Sequence, residues 1–210
     1  MNLRGKRILI TAGPTWVPID SVRIISNIAT GETGILLAQY LSSQRRARVT
    51  LLLGTSEEDN LVSALRVIRF RFFNELKYIL KRELSSKKYD IIIHSAAVSD
   101  FKLKYKLRGK LNSDKAYNLR IIPLEKLIIN IRRLAKEARL VMFKLESAVT
   151  DKALIKRARV AGKLVGADLV VANQLNPYRA YIIDKDDNKI RAKSKKDLVK
   201  KLIKQLSVLN

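Results

Sequence analysis

Glycines and threonines near the amino terminus could bind a phosphorylated ligand. Gly13 follows the first apolar strand, and Gly31 and Gly34 stand where a helix is expected to begin. Glycines let an anion approach the backbone, and the first turn of a helix presents unpaired N–H groups and the positive end of its dipole. Thr30 and Thr33 could cap that turn or donate hydroxyls to phosphate. This layout is typical of a nucleotide site.

The spacing of these residues argues against two common nucleotide motifs. A dinucleotide fingerprint needs G-x-G-x-x-G directly between the first strand and its helix, and here a long insertion separates them. The chain also lacks G-x-x-x-x-G-K-[ST], which disfavours a P-loop NTPase. A helix start with a glycine packed against a neighbouring strand remains an open alternative.

Composition predicts one α/β domain over residues 1–210. The 210 residues are 47% hydrophobic, enough for a substantial core. Cysteine is absent, and no apolar run approaches membrane-spanning length. The short apolar part of the start is unlike a secretion signal, so we expect a cytoplasmic protein that does not enter a membrane.

Positive charge dominates the bulk properties of the chain. Lys and Arg number 43 against 19 Asp and Glu, for a net charge of +24. This excess favours anionic partners without choosing among them. The basic residues are spread along the chain and few aromatics lie between them, so we expect a generally cationic surface that binds nucleic acid only non-specifically.

Strand and helix patterns alternate along most of the chain. Strands are predicted at 8–11, 48–53, 66–72, 89–95, 140–145 and 167–172, with 66–72 either at an edge of the sheet or half-exposed. Helices are predicted at 31–45, 75–86 with Asn74 as cap, 124–138 and 151–165. Such β-then-α units predict a Rossmann-like, mostly parallel sheet with helices on both faces. A hairpin at 180–184 and 189–192 and a helix beginning at Ser194 should follow.

Residues 101–121 interrupt this order. They alternate like two strands around a turn at Gly109 and Lys110, yet they are too polar for a central strand. A solvent-exposed hairpin is one interpretation. The other is a basic arm or flap that closes over an anionic ligand or pairs with another subunit.

Separated motifs together resemble the phosphopantothenate-cysteine ligase family. Its opening, approximately LITAGPTxExIDPVRxISNxSSGxxG, is similar to LITAGPTWVPIDSVRIISNIATGETG here. Its AAVADY-type motif is similar to AAVSDF at 96–101, GFKAET to MFKLES at 142–147, and LDLIVAND to ADLVVANQ at 167–174. The resemblance covers nearly the whole chain, in order.

The resemblance implies a ligase of coenzyme A biosynthesis. Such enzymes use a nucleoside triphosphate, CTP in the bacterial type, with Mg2+ to convert the carboxylate of 4'-phosphopantothenate to an acyl-cytidylate, which the amine of cysteine then attacks. It also implies a homodimer in which the arm helps complete the neighbour's site. Because Met1 stands just before the first strand, we expect a stand-alone form of a domain that many bacteria fuse to a flavin-dependent decarboxylase.

The resemblance assigns catalytic roles to Lys110, Asn27 and Arg23. Lys110 would neutralise phosphate charge from the arm, Asn27 would hold a carbonyl oxygen of the acyl intermediate, and Arg23 would contact carboxylate or phosphate. A surface lysine and a loop-stabilising pair are the alternatives. The lysines that compete with Lys110 for its role are Lys102, Lys104, Lys106 and Lys115.

The remaining site residues surround the nucleotide in the same comparison. The nucleotide-binding set is Gly13, Ala96, Ala97, Asp100, Lys110 and Phe143, and the phosphate or substrate set is Thr30, Gly31, Gly34 and Asn27. No side chain is assigned to a metal. Phe143 could instead be a core residue, and His94, within an apolar strand, is expected to be structural rather than a general base.

Several positions depart from the family pattern. Met142 replaces a glycine and should add bulk close to the nucleotide, and the start of the helix at 124 lacks the family's capping residues. Ala161 and Val165 stand where lysines usually meet the triphosphate, leaving Lys163 or Arg159 as substitutes. A diverged paralogue, or a basic nucleotide- or nucleic-acid-binding protein without turnover, therefore stays open. A nicotinamide-dependent reductase is disfavoured because its glycine signature and Tyr-x-x-x-Lys pair are missing.

Overall fold

A central eight-stranded sheet organises the fold, as seen in a computed structural model that describes residues 3–43, 47–56, 65–105 and 107–208. The strands are β1 Lys6–Ala12, β2 Trp16–Pro18, β3 Ile24–Ser26, β4 Ala47–Leu53, β5 Arg66–Arg69, β6 Ile91–His94, β7 Phe101–Leu103, β8 Ile121–Pro123, β9 Arg139–Leu145, β10 Leu169–Gln174, β11 Arg179–Asp184 and β12 Lys189–Ala192. The helices are α1 Glu32–Ser43, α2 Phe73–Ser86, α3 Leu127–Leu134, α4 Asp151–Val165 and α5 Lys195–Val208.

The sheet is parallel over most of its width. Its order is β12-β11-β10-β9-β6-β1-β4-β5, and only β11 and β12 run antiparallel to their neighbours. The six parallel strands therefore end at one edge, which we call the carboxyl edge. Ligands of open α/β sheets bind outside this edge.

Helices cover both faces, which confirms the predicted Rossmann-like class. Apolar residues of α1 and α5 form one core with β1, β4 and β6. Helices α2 and α3 pack on the opposite face, and α4 adds a third cluster beside β10 and β11. Strands such as β6, with three successive buried isoleucines, are apolar on both sides because both faces are covered.

Several predicted elements agree with the structure, including α4 to the residue, β5 at the edge and the carboxyl-terminal hairpin and helix. Ser194 caps α5, since its hydroxyl accepts from the Asp197 N–H at 3.1 Å. The predicted end of the first helix near Arg45 lies outside the described residues.

The prediction that Asn74 caps the second helix is wrong. Helix α2 already begins at Phe73, and the Glu75 carboxylate reaches back to accept from the N–H groups of Arg71 and Phe72. A carboxylate at the third helical position satisfies donors at a helix start and favours the dipole.

The helix predicted at 124–138 is shorter than expected. Leu124 instead donates its N–H to Asp100 O at 2.8 Å, which holds this segment beside β7. At the other end the Arg132 guanidinium binds the carbonyls of Ala135, Lys136 and Ala138, so side-chain contacts replace further helical turns.

Residues 101–121 are a hairpin only at their base. Strands β7 and β8 pair between Leu103 and Ile121, and one further bond joins Lys104 N–H to Arg120 O. Beyond that, the described residues of the arm do not alternate as paired strands around Gly109; the tip contacts the loop between β2 and β3. The prediction of an extended hairpin is therefore wrong over the distal part, where loop contacts satisfy the backbone.

Candidate active site

The loops after β1 and β6 are joined at the carboxyl edge. Ala97 donates its N–H to Gly13 O at 2.9 Å, and Thr15 donates its N–H to Ala97 O at 3.3 Å. Beneath them Ser99 donates its N–H to the Thr15 hydroxyl at 2.8 Å, and the two buried hydroxyls lie 3.0 Å apart. Sequence reasoning placed Ala96 and Ala97 here and missed the Thr15 and Ser99 pair that fixes them.

The glycines of the first segment allow α1 to start directly against β1. A Cβ on Gly34 would lie 2.5 Å from Ala12 Cβ and 2.7 Å from Ser95 Oγ. Gly31 has φ +80°, and its Cβ would lie 3.0 Å from Gly13 N. Close packing therefore explains these glycines, and it also brings the first turn of α1 to the carboxyl edge.

The start of α1 carries its own acid. Glu32 in the first turn pairs with Lys195 of α5, and the Thr30 hydroxyl accepts from the Glu32 N–H at 3.4 Å. The positive end of the α1 dipole therefore already lies close to the Glu32 carboxylate, and Lys195 balances the charge of that carboxylate.

Asn27 lies over the loop after β6. Its exposed side chain donates from Nδ2 to both Ala97 O and Val98 O, each at 3.1 Å. Both amide hydrogens are therefore used, and Oδ1 is the atom left to meet a ligand. This differs from the expected mode, in which the amide would donate to a carbonyl oxygen of the intermediate.

Arg23 binds a buried carboxylate. Its guanidinium pairs with Asp20 at 2.5 Å and also donates to Leu111 O at 3.3 Å, in the arm. The Arg23 side chain remains 38% exposed, so part of the guanidinium can still face a ligand.

The arm tip brings Lys110 to this loop. Gly109 O accepts from the Ser21 N–H at 3.1 Å, and the Leu111 N–H donates to Asp20 Oδ2 at 3.0 Å. Lys110 itself is exposed and stands between these two contacts.

Asp100 and Phe143 occupy the flanks of the site. Asp100 is exposed and pairs with Lys126 at 2.5 Å, so a nucleotide contact would compete with that ammonium group. Phe143 is partly buried and packs against the core formed with α1 and α5, as the core alternative predicted.

His94 is held neutral at the end of β6. Its Nδ1 lies 2.8 Å from the Thr11 hydroxyl, and burial lowers its pKa to about 4. A group with this pKa is uncharged at neutral pH, which suits a structural histidine.

The structure places the residues of two family departures away from the carboxyl edge. Met142 points into the core below α4 with 7% of its surface exposed, so its bulk does not crowd the carboxyl edge. Lys163 belongs to the last turn of α4, which ends at the opposite edge, and Arg159 pairs there with Asp187 at 2.8 Å. Neither cation therefore lies at the carboxyl edge of this chain, where we expect the triphosphate.

Two features are absent from the part of the chain that the structure describes. There, no three His, Asp or Glu side chains gather to hold an ion. No helix of that part combines the length and apolarity needed to cross a bilayer.

Together these groups form a cationic, hydrogen-bonding surface at one sheet edge. It offers a guanidinium, an exposed ammonium, a free amide oxygen and the first turn of a helix, a set suited to an anion whose charge changes during reaction. Asp20 was not predicted as a residue of the site. An aspartate whose carboxylate accepts from the backbone N–H two residues later is nevertheless a known local signal of a turn.

The chain is similar in sequence to one family of domains and to known proteins that contain it. The family described as DNA/pantothenate metabolism flavoprotein C-terminal domain matches residues 3–207. The Coenzyme A biosynthesis bifunctional protein CoaBC of Thermococcus kodakarensis is 36% identical over 177 residues, covering 84% of this chain and 43% of that protein. The matching protein of Methanocaldococcus jannaschii is 28% identical, covering 100% and 52%. The chain thus spans about half the length of these relatives.

A solved structure has the same fold. The DNA/pantothenate metabolism flavoprotein from Streptococcus pneumoniae superposes with a TM-score of 0.87 at 23% identity, covering 97% of this chain and 99% of that one.

Proposed function

Because this chain belongs to the family of the DNA/pantothenate metabolism flavoprotein C-terminal domain, we propose that it joins 4'-phosphopantothenate to cysteine in coenzyme A biosynthesis. The curated relatives are coenzyme A biosynthesis proteins. The observation that supports the proposal is that Asn27 binds the loop after β6 at the carboxyl edge, while Arg23 of the neighbouring loop binds Leu111, the residue that follows Lys110 in the arm.

The first step activates a carboxylate. An oxygen of the 4'-phosphopantothenate carboxylate attacks the α-phosphorus of CTP, the bond to the β-phosphate breaks, and pyrophosphate leaves with the electron pair. Negative charge builds up on the phosphate oxygens, and Lys110, the exposed part of Arg23 and the first N–H groups of α1 stabilise it. Ala96 and Ala97 are small enough to leave room for the nucleotide beside the backbone, while Gly13 and Gly31 let the segments around them pack closely at the same edge.

The second step forms the amide. The cysteine amine attacks the acyl carbon, the bond from that carbon to the phosphate oxygen breaks, CMP leaves with the electron pair, and the amine proton passes to solvent. Asn27 contributes Oδ1, because its Nδ2 hydrogens bind Ala97 and Val98. An amide oxygen that accepts from the amine orients its lone pair toward the acyl carbon.

Mg2+ would enter with the triphosphate. Phosphate oxygens and water are ligands that it commonly uses. Bound there, it would neutralise the charge of the leaving pyrophosphate. We further propose that the protein is a homodimer, with 101–121 near the neighbouring subunit.

The test is a coupled assay of pyrophosphate release. We expect release that needs 4'-phosphopantothenate and a nucleoside triphosphate, with CTP preferred to ATP, and amide product only when cysteine is added. Pyrophosphate release at the same rate with and without 4'-phosphopantothenate would contradict the proposal.

A thermal-shift comparison separates the alternatives. CTP with Mg2+ should raise the melting temperature more than NADPH or a short oligonucleotide at moderate salt, because only a ligand of the folded site stabilises it. Stabilisation by the oligonucleotide alone would favour the nucleic-acid-binding alternative.

A further inference from the structure

Asp20 is a charged residue whose side chain is fully buried in the loop between β2 and β3. Its carboxylate accepts from the backbone N–H groups of Leu111, Val22 and Arg23 at 3.0, 2.8 and 2.7 Å, and from the Arg23 guanidinium. The Leu111 N–H, followed by these other donors, holds the pKa of Asp20 well below its ordinary value despite burial. Asp20 is therefore an anion at neutral pH, with its charge surrounded by hydrogen-bond donors.

The contacts of this loop lie on both sides of Lys110. Before it, Gly109 O accepts from the Ser21 N–H; after it, Leu111 donates its N–H to Asp20 and accepts from Arg23 at its carbonyl. The peptide is thus held on either side while the ammonium group remains exposed to a ligand.

The same loop is joined to the sheet. Ser26 donates its hydroxyl to Thr15 O at 3.3 Å, and Asn27 binds the carbonyls after β6. A continuous set of hydrogen bonds therefore runs from the carboxyl edge through Asp20 to the arm. The contact between Asp20 and Leu111 joins positions 91 residues apart.

We propose that Asp20 is a positioning residue that holds the backbone of Lys110 against the loop of Arg23 and Asn27, so that the lysine is placed for the first half-reaction. The inference rests on the proposed function. Asp20 does not touch the substrate; it acts through Lys110, whose placement decides how much phosphate charge is neutralised. Misplacing a catalytic group by about 1 Å can cost on the order of 100-fold in rate.

The main variant is Asp20→Asn, with Asp186→Asn as its matched control. An amide keeps one acceptor oxygen, but its NH2 group would face N–H donors that now point at a carboxylate. Asp186 is exposed in the turn between β11 and β12, at the opposite edge, and undergoes the same chemical change. Asp20→Ser is a second variant, since serine makes the same local turn more weakly and is too short to reach Leu111.

Hydrogen exchange at the Leu111 amide measures the contact directly. We expect exchange at least about tenfold faster in Asp20→Asn and Asp20→Ser than in the unsubstituted protein or Asp186→Asn, because the donor loses its buried acceptor. Unchanged exchange in a folded Asp20 variant would overturn the proposal.

Kinetics distinguish positioning from a general loss of structure. Asp20→Asn should lower kcat of pyrophosphate release by about 10- to 100-fold with a smaller change in KM. Combined with Lys110→Gln, it should lower kcat no further than Lys110→Gln alone, because both act on one group. Independent, multiplying losses would overturn the proposal, as would an unchanged kcat.

The two proposals fail differently. An unsubstituted protein that releases no pyrophosphate would overturn the proposed function, and with it the catalytic role of Asp20. The Leu111 exchange rates would then still decide whether Asp20 holds the arm. A fully active Asp20→Asn variant would overturn the positioning role alone.

Discussion

Two buried carboxylates, Asp20 and Glu83, serve different regions of the molecule. Asp20 lies in a loop beside the carboxyl edge, and three of its four donors are backbone N–H groups. Glu83 lies in α2 near the opposite edge, where side chains are its partners. Those partners are Arg66 at 2.6 and 2.9 Å, Lys87 at 3.1 Å and the Tyr89 hydroxyl at 2.7 Å.

The difference lies in what each carboxylate holds. Glu83 joins regular elements of secondary structure, since Arg66 begins β5 and Tyr89 precedes β6. Its contacts therefore stabilise the sheet and helix and do not place any residue of the site. Asp20 fixes the path of two segments with little regular structure, the loop carrying Arg23 and the arm carrying Lys110. Substitutions near Asp20 should therefore change turnover, and those near Glu83 should change stability.

The largest effect is expected at the arm. Lys110→Gln should lower pyrophosphate release by about 100-fold or more, since one charge-stabilising donor is lost in the transition state. Its melting temperature should stay unchanged, because Lys110 is exposed. Lys115→Gln, an exposed arm lysine, is the control; equal losses in both variants would contradict the assignment of Lys110.

Glu83→Gln tests the scaffold side of the comparison. Removing one partner from a buried ion-pair network should destabilise the protein by about 3 kcal/mol, which lowers the melting temperature by roughly 6–12 °C for a chain of this size. Calorimetry measures this, and kcat at 25 °C should be unchanged. A loss of kcat without destabilisation would break the distinction between the two regions.

The pH dependence of stability should show the contributions of His94 and Glu83 in different pH ranges. His94 has a folded pKa of about 4 against an ordinary value of 6.5. As pH falls from 6.5 toward 4, His94 becomes protonated in the unfolded chain but stays neutral in the folded chain. The free energy of unfolding should therefore fall by up to about 1.4 kcal/mol per pH unit. Denaturant titrations should show a steeper slope in the unsubstituted protein than in His94→Gln, and equal slopes would contradict this assignment.

Glu83 acts at lower pH in the same experiment. Its partners, with Arg66 the largest contribution, lower its pKa from 4.5 to about 2. Its stabilisation is therefore complete above about 4.5 and is lost as pH falls toward 2. Glu83→Gln should make this slope shallower without removing it, because Asp20 and other paired carboxylates also have lowered pKa values. It should leave the contribution of His94 at higher pH unchanged, and a loss of that contribution would contradict the separate pH ranges.

The smallest effect is expected at Arg159. Its pair with Asp187 is partly exposed and lies far from the carboxyl edge, so Arg159→Ala should cost less than about 1 kcal/mol. Steady-state kinetics should show an unchanged KM for CTP. A raised KM would restore Arg159 as a triphosphate contact.

Local patterns were sufficient to predict the repeating units of this fold. The alternation of β and α periods, the bounds of α4 and the apolar strand β6 all follow from neighbours within a few residues. Because such signals act over one or two helical turns, they appear in the sequence itself. The family motifs likewise located Asn27, Ala97 and Lys110 in the sequence.

The tertiary structure decided which groups those residues meet. It turned the Asn27 amide toward two carbonyls, buried Met142 below α4, carried Arg159 to the opposite edge and folded the arm tip onto Asp20. Each contact joins segments far apart in the chain, and its geometry depends on how helices pack on the sheet. No local period encodes that packing, so the sequence determined the elements and only the packed structure determined the partners of the site.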